Sequence, residues 1–332
     1  MKKHAVRGMI LAVVFLFEGI SFAELNHVPI IYSPFNSGTN DENSRFPGVS
    51  DDIRVYISPL SKVKTNERYP KDAHVTHGVV NFSHYKWTVK SSSDASDTIH
   101  PGPNLWSDRK SDVWVDDEGR LHLKIVKRNG KWYCTEVTCD KIFGYGTYVF
   151  YLDSEIEDSN LDPNVVLGFF TWDDNTCDTN ASSEIDIELT TYGGRRKNIL
   201  NYSVQPCIVT GGRPISECHK RHKVFPMELH GRYSTHAFVW NPLHVQFYSY
   251  HGHGYPTPNP IVKDGWDYDI TIPNCRYVRG RGAQCNSKLI GIPKATKNTK
   301  IKINFWLFEG KAPLQEQHVV IKKFEYIRAS MP

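Results

Sequence analysis

Three acids alternate with two isoleucines in Glu184-Ile185-Asp186-Ile187-Glu188. In a strand, successive side chains point to opposite faces. All three carboxylates then share one face while both isoleucines enter the core. A helix would pair Glu184 with Glu188 and turn Asp186 away. The β-branched isoleucines and the Leu189-Thr190-Thr191 that follow favour the strand. Like charges this close raise at least one pKa and leave one carboxyl protonated near neutrality. A carboxylic acid beside a carboxylate is what glycosidic cleavage requires: one group attacks the anomeric carbon and the other protonates the departing oxygen. Retention of configuration calls for carboxyls about 5 to 5.5 Å apart, whereas Cα atoms four residues apart on a straight strand are about 13 Å apart. Strand curvature and the long Glu side chains must close that gap. The competing reading is an exposed strand edge whose charges deter aggregation.

The segments around this motif are patterned as strands. Short runs of alternating, β-branched and aromatic residues recur between Gly, Pro, Asn and Asp, among them Arg120 to Lys127, Gly146 to Leu152, Val165 to Trp172, Glu184 to Thr190, Ile199 to Val204, Thr235 to Trp240, Val245 to Tyr250 and Lys300 to Phe308. No long segment has clear helical spacing, and there is no internal repeat. The pattern predicts an all-β sandwich or jelly roll. Residues 24–75, rich in Pro, Ser, Asn and Asp, are expected to form an irregular N-terminal arm, and residues 76–330 the β domain.

The N-terminus reads as an export signal. Lys2, Lys3 and Arg7 precede the apolar run Met9 to Phe17, and Ser21-Phe22-Ala23 supplies a small-x-small cleavage site. A membrane anchor needs about 20 apolar residues, and Glu18 interrupts the run too early. Residues 1–23 are therefore expected to be removed, and the protein to be secreted or periplasmic without membrane insertion. In an oxidising compartment the close pairs Cys134/Cys139, Cys207/Cys218 and Cys275/Cys285 are plausible disulfides, with Cys177 left over. Zinc is the competing reading, disfavoured because no Cys-x2-Cys repeat occurs. The formal charge of +4 lacks the bias of a nucleic-acid binder. An aromatic content of 12% suits a protein that stacks flat rings on a ligand, although a large β core uses aromatics too. Two basic stretches, Gly211 to Lys223 and Cys275 to Lys302, read as surface loops, solvated or facing an anionic polymer.

From about Phe82 to Ile327 the chain resembles glycoside hydrolase family 16, especially its bacterial β-1,3-1,4-glucanases. The matching pieces are Tyr85-Lys86-Trp87, the run Val113 to Leu123, Phe143-Gly144-Tyr145-Gly146-Thr147-Tyr148, Gly168-Phe169-Phe170-Thr171-Trp172, the acidic motif, Asn201-Tyr202 and Ile303-Asn304-Phe305-Trp306-Leu307. His236 to Trp240 resembles a family His…Trp strand with the spacing one residue shorter. The resemblance implies a curved β-jelly roll with an open substrate cleft on its concave face. It makes Glu184 the nucleophile, Glu188 the acid/base and Asp186 the residue that tunes the pair. By the same resemblance Trp172, Asn201 and Trp306 fall on cleft strands as substrate-binding residues, with Glu136 and Tyr145 at further cleft positions. Core packing is the alternative for the tryptophans, and the preferred one for Trp240.

Ser183 and Thr138 depart from the pattern, standing where an Asp and an Arg would be expected. The expected activity is retaining, endo-acting hydrolysis of a β-linked glucan (β-1,3-1,4 or β-1,3). A transglycosylase on the same scaffold is one alternative, a non-catalytic glycan-binding jelly roll another, and a binder of anionic polysaccharide a third. The expected partner is a polysaccharide substrate, the expected state a monomer, and neither a cofactor nor a metal is assigned.

Overall fold

The computed structural model describes residues 78–176, 181–205, 221–269, 274–278, 282–286 and 292–329. The expected signal peptide and N-terminal arm lie outside the described residues, as do Cys177, Cys207 and Cys218. Eighteen strands are described: β1 (Val79–Phe82), β2 (Tyr85–Val89), β3 (Leu105–Trp106), β4 (Val113–Val115), β5 (Leu121–Arg128), β6 (Lys131–Cys139), β7 (Gly146–Leu152), β8 (Val165–Trp172) and β9 (Ile185–Leu189) in the first half. The second half holds β10 (Leu200–Val204), β11 (His222–Phe225), β12 (Ser234–Trp240), β13 (His244–His251), β14 (Trp266–Asp269), β15 (Asn274–Val278), β16 (Gly282–Asn286), β17 (Lys300–Leu307) and β18 (Gln317–Arg328).

The long strands form two packed sheets. The first runs β1-β2-β6-β17-β8-β9-β10-β11 and the second β4-β5-β18-β7-β12-β13-β14, joined where β5 and β6 pair as a hairpin. The chain crosses between the sheets from β6 to β7, from β7 to β8 and from β17 to β18, the sandwich connectivity of a jelly roll. Facing rings fill the interior. Phe150 of β7 stacks on Phe169 of β8 at 4.6 Å, and Tyr202 of β10 on Phe247 of β13 at 4.9 Å. Ile185, Ile187 and Leu189 are fully buried in this core, each worth about 1.5–3 kcal/mol relative to exposure. The core positions register: a one-residue slip of β9 would drive its acids inward.

Three expectations are corrected. Cys134 and Cys139 are both free and buried. They lie five residues apart on the single strand β6, so their Cα atoms are about 17 Å apart and their side chains point to opposite faces, beyond disulfide reach. The basic stretch ending at Lys223 is not a surface loop at that end. Arg221 is buried, donating to the Val204 carbonyl at 2.9 Å and to Tyr268 Oη and the Gln205 carbonyl, and β11 pairs with β10. The stretch Cys275 to Lys302 likewise contains the hairpin β15–β16, in which Cys275 is register partner to Cys285, and the start of β17.

Burial pushes the thiol pKa of Cys134 up to about 12 and that of Cys139 to about 11, which suppresses the reactive thiolate. Native protein should therefore resist alkylation at both. Unfolding without reductant should expose both to quantitative labelling, read by peptide mass spectrometry. A recovered Cys134–Cys139 bridge would contradict the strand assignment.

Candidate active site

Strand β9 sits between β8 and β10 within the first sheet. Its isoleucines face the core, so Glu184, Asp186 and Glu188 occupy the other face. Register then fixes their neighbours. Glu188 lies between Asn201 of β10 and Gly168 of β8, and the same row continues to Asn304 of β17 and Glu136 of β6. Asp186 lies between Ser203 and Phe170, and that row continues to Lys302 and Thr138.

Backbone braces hold both ends of the acidic strand. The Thr171 hydroxyl donates to the Ser183 carbonyl at 2.7 Å and accepts from the Ile185 amide at 3.1 Å, clamping the chain on either side of Glu184. Ser183 in turn donates to the Lys294 carbonyl at 2.9 Å. At the far end, Asn201 Nδ2 donates to the carbonyls of Thr190 and Ile199 at 2.9 and 2.6 Å. Its Oδ1 accepts from His222 Nε2 at 3.0 Å, while Arg196 donates to His222 Nδ1 at 3.3 Å. That pattern requires the neutral Nε2–H tautomer, since Arg can only donate. Burial and the Arg196 charge hold the His222 pKa down at about 4.

The acids are electrostatically unequal. Asp186 is buried, accepts from Gln205 Nε2 at 3.0 Å and shares a hydrogen bond with Glu184. Desolvation and then the charge of Glu188 raise its pKa well above the ordinary carboxyl range. Desolvation also raises Glu188, opposed by a hydrogen bond donated by Tyr192 Oη and by Arg196. The face thus raises the proton affinity of two carboxyls spaced along one strand above that of carboxyls in water.

Four of the five expected substrate-binding residues share this sheet face with the acids. Trp172 stands two residues beyond Phe170, half-buried, its Nε1 donating to Asp174 at 2.6 Å and Lys302 Nζ 6.0 Å from its ring centroid. Trp306 is buried on β17 opposite Val166, packed in the hydrophobic core, and its Nε1 finds no acceptor among the described residues. Glu136 is buried between Lys90 Nζ at 3.3 Å and Lys302 Nζ at 3.6 Å. Asn201 is buried with its amide engaged inside the fold as described. Tyr145 stands apart: it precedes β7 of the second sheet and packs edge-on against Trp240 at 5.2 Å. Trp240 is buried in the core and donates to the Pro293 carbonyl. Sequence reasoning did not single out Tyr192 or Gln205, and met His222 and Lys302 only as members of the two basic stretches. Only Gln205 had a local signal, the polar alternation Asn201, Ser203, Gln205.

No family model and no curated protein matches the chain. Among solved structures it is similar to the β-glucanase of Bacillus licheniformis, at 18% identity over 78% of this chain and 96% of that one, TM-score 0.44. A pseudo β-1,3-glucanase and immunostimulatory antigen of Mycobacterium tuberculosis matches at 15% identity over 78% and 97%, TM-score 0.49. A β-1,3-1,4-glucanase from a mouse hindgut metagenome matches at 16% identity over 76% and 95%, TM-score 0.41. Each is a likeness of fold, and the chemistry of the site rests on its own geometry.

The raised Asp186 carboxyl gives a stability test. Unfolded, it ionises near about 3.9; folded, it keeps its proton to higher pH. Its contribution is complete below the unfolded value and is lost as pH rises through the folded one. Asp186→Asn should remove that dependence. As pH rises above the unfolded value, wild-type Tm should fall relative to the variant, measured by thermal melts; parallel curves would refute the raised Asp186 pKa.

Proposed function

We propose that the protein is a secreted, retaining endo-β-glycanase that hydrolyses a β-linked glucan (β-1,3-1,4 or β-1,3). The observation that carries this reading is a single strand presenting Glu184, Asp186 and Glu188 on one face, with burial raising the pKa of Asp186 and Glu188. A carboxyl that keeps its proton near neutrality is a general acid, and a second carboxyl on the same face is a nucleophile.

In the first step Glu184 attacks the anomeric carbon as the glycosidic C–O bond breaks, and Glu188 passes its proton to the departing oxygen. In the second, water attacks the glycosyl-enzyme ester, gives a proton to Glu188 and releases Glu184. Asp186, hydrogen-bonded to Glu184 and with its pKa raised by burial, resists adding a further negative charge beside the nucleophile. Trp172, half-buried on the same face, supplies a stacking surface for a sugar ring. Export is supported by the basic start, apolar run and Ser21-Phe22-Ala23 of the N-terminus.

The two glutamates should fail differently. Glu184→Ala should lose several orders of magnitude in turnover, since the covalent step is gone. Glu188→Ala should lose about 10² to 10⁴-fold on natural glucan but less on a substrate with a good leaving group. Azide should rescue both, giving a β-glycosyl azide from Glu188→Ala after two inversions and an α-glycosyl azide from Glu184→Ala after one. Identical products, or full activity in either variant, would overturn the roles.

A further inference from the structure

Tyr192 lies just past the end of β9, four residues after Glu188, yet its phenol reaches back to donate a hydrogen bond to Glu188 Oε2. A continuing strand would carry residue 192 about 13 Å away. The chain instead reverses at once: Tyr192, Gly193 and Gly194 all have left-handed backbones, with φ of 50°, 73° and 77°. The glycines adopt this region freely, but a tyrosine does so only under restraint. Three contacts supply it. The Tyr192 amide donates to Thr190 Oγ1 at 2.9 Å, the Gly193 amide to the Pro163 carbonyl at 2.7 Å, and the ring meets Phe308 edge-on at 5.5 Å. Strained non-glycine residues held by their surroundings concentrate at functional sites.

We propose that Tyr192 is a positioning residue for Glu188, fixing Oε2 so that the catalytic proton resides on Oε1 and is turned toward the leaving group. This rests on Glu188 being the acid/base. Among the described residues no other hydrogen bond reaches that carboxyl. The other charged and titratable groups around it are few. Asp186 and Glu184 share its sheet face; Arg196 comes from the following turn, and His222 from β11 beyond Asn201. On the β8 side Gly168 carries no side chain, so the next such groups are Lys302 and Glu136 on β17 and β6.

The bond acts asymmetrically over the cycle. While Glu188 is protonated, Tyr192 donates to a neutral carboxyl. As the proton moves from Oε1 to the leaving oxygen, Glu188 becomes an anion and the bond becomes charge-assisted, roughly twice as strong. An interaction stronger in the transition state than in the ground state accelerates its step. In the second step Glu188 must recover a proton from water, and the same bond then holds back the base. Tyr192 therefore favours glycosyl transfer to the enzyme and tempers its hydrolysis.

Tyr192→Phe keeps the ring, the Phe308 contact and the turn, and removes only the hydroxyl. On glucan, kcat/KM should fall about tenfold with KM unchanged, and on an aryl glycoside with a strongly activated leaving group it should barely change. The basic limb of the kcat/KM profile should move to higher pH, because the anion has lost its donor. Tyr192→Gly, which relieves the left-handed strain, should show the same displacement if the hydroxyl and not the packing matters. Glu188→Ala with azide is measured alongside. Azide rescue together with an unmoved limb in both Tyr192 variants would overturn the positioning role alone; no rescue would overturn the acid/base assignment and this inference with it.

Discussion

Burial of Ile185 and Ile187 is the interaction on which the site depends. A strand cannot send those two side chains into the core without presenting Glu184, Asp186 and Glu188 together on its other face. The core therefore holds like-charged groups where they would not gather unaided. The sheet also desolvates them, and desolvation is the largest cause raising both Asp186 and Glu188. Packing energy from the apolar face is thus converted into proton affinity on the polar face. Neighbouring strands keep the arrangement in register, since β8 and β10 pair with β9 along its length.

The strand's ends are where the chain departs from easy geometry. Ser182 and Ser183, just before Glu184, have φ of 54°, and Tyr192, just after the strand, has 50°. None is glycine, so each conformation needs external support. Thr171 of β8 clamps the entry and Asn201 of β10 holds the Thr190 carbonyl at the exit, while Thr190, Pro163 and Phe308 restrain the Tyr192 turn. The side chains that brace the backbone lie beside the acidic face, so a loss of bracing would be felt as a loss of alignment there before a loss of fold.

Much of this was legible in the sequence because the signal was local. The alternation in residues 184–188 identifies the acidic face without reference to any other strand, and the strands β7, β8 and β17 follow their apolar and β-branched runs to within a residue. What could not be read was non-local. Cys134 and Cys139 look like a pair by spacing, and only the continuous nine-residue strand β6 shows that they point apart. Lys300 and Lys302 fall both in a basic stretch and in a strand run, and only the pairing of β17 with β6 and β8 shows that they belong to the strand. Tyr192 was invisible for a related reason. Its contact with Glu188 depends on three successive left-handed residues, a reversal that Tyr-Gly-Gly permits but does not dictate.

The row containing Glu188 shows how closely the same sheet packs beside that acid. Asn201, Glu188, Gly168, Asn304 and Glu136 succeed one another across five strands, and the residue beside the acid is the one without a side chain. A Cβ at Gly168 would come within 2.4 Å of Asn304 Oδ1, an acceptor that is buried and has no hydrogen-bond partner among the described residues. Glycine weakens a strand interior and leaves a space that another group can approach closely. Here the group that approaches is the Asn304 amide, which packs over Gly168 next to Glu188. The row that holds Glu188 therefore depends on the missing side chain at Gly168, since any larger residue there would have to displace the amide.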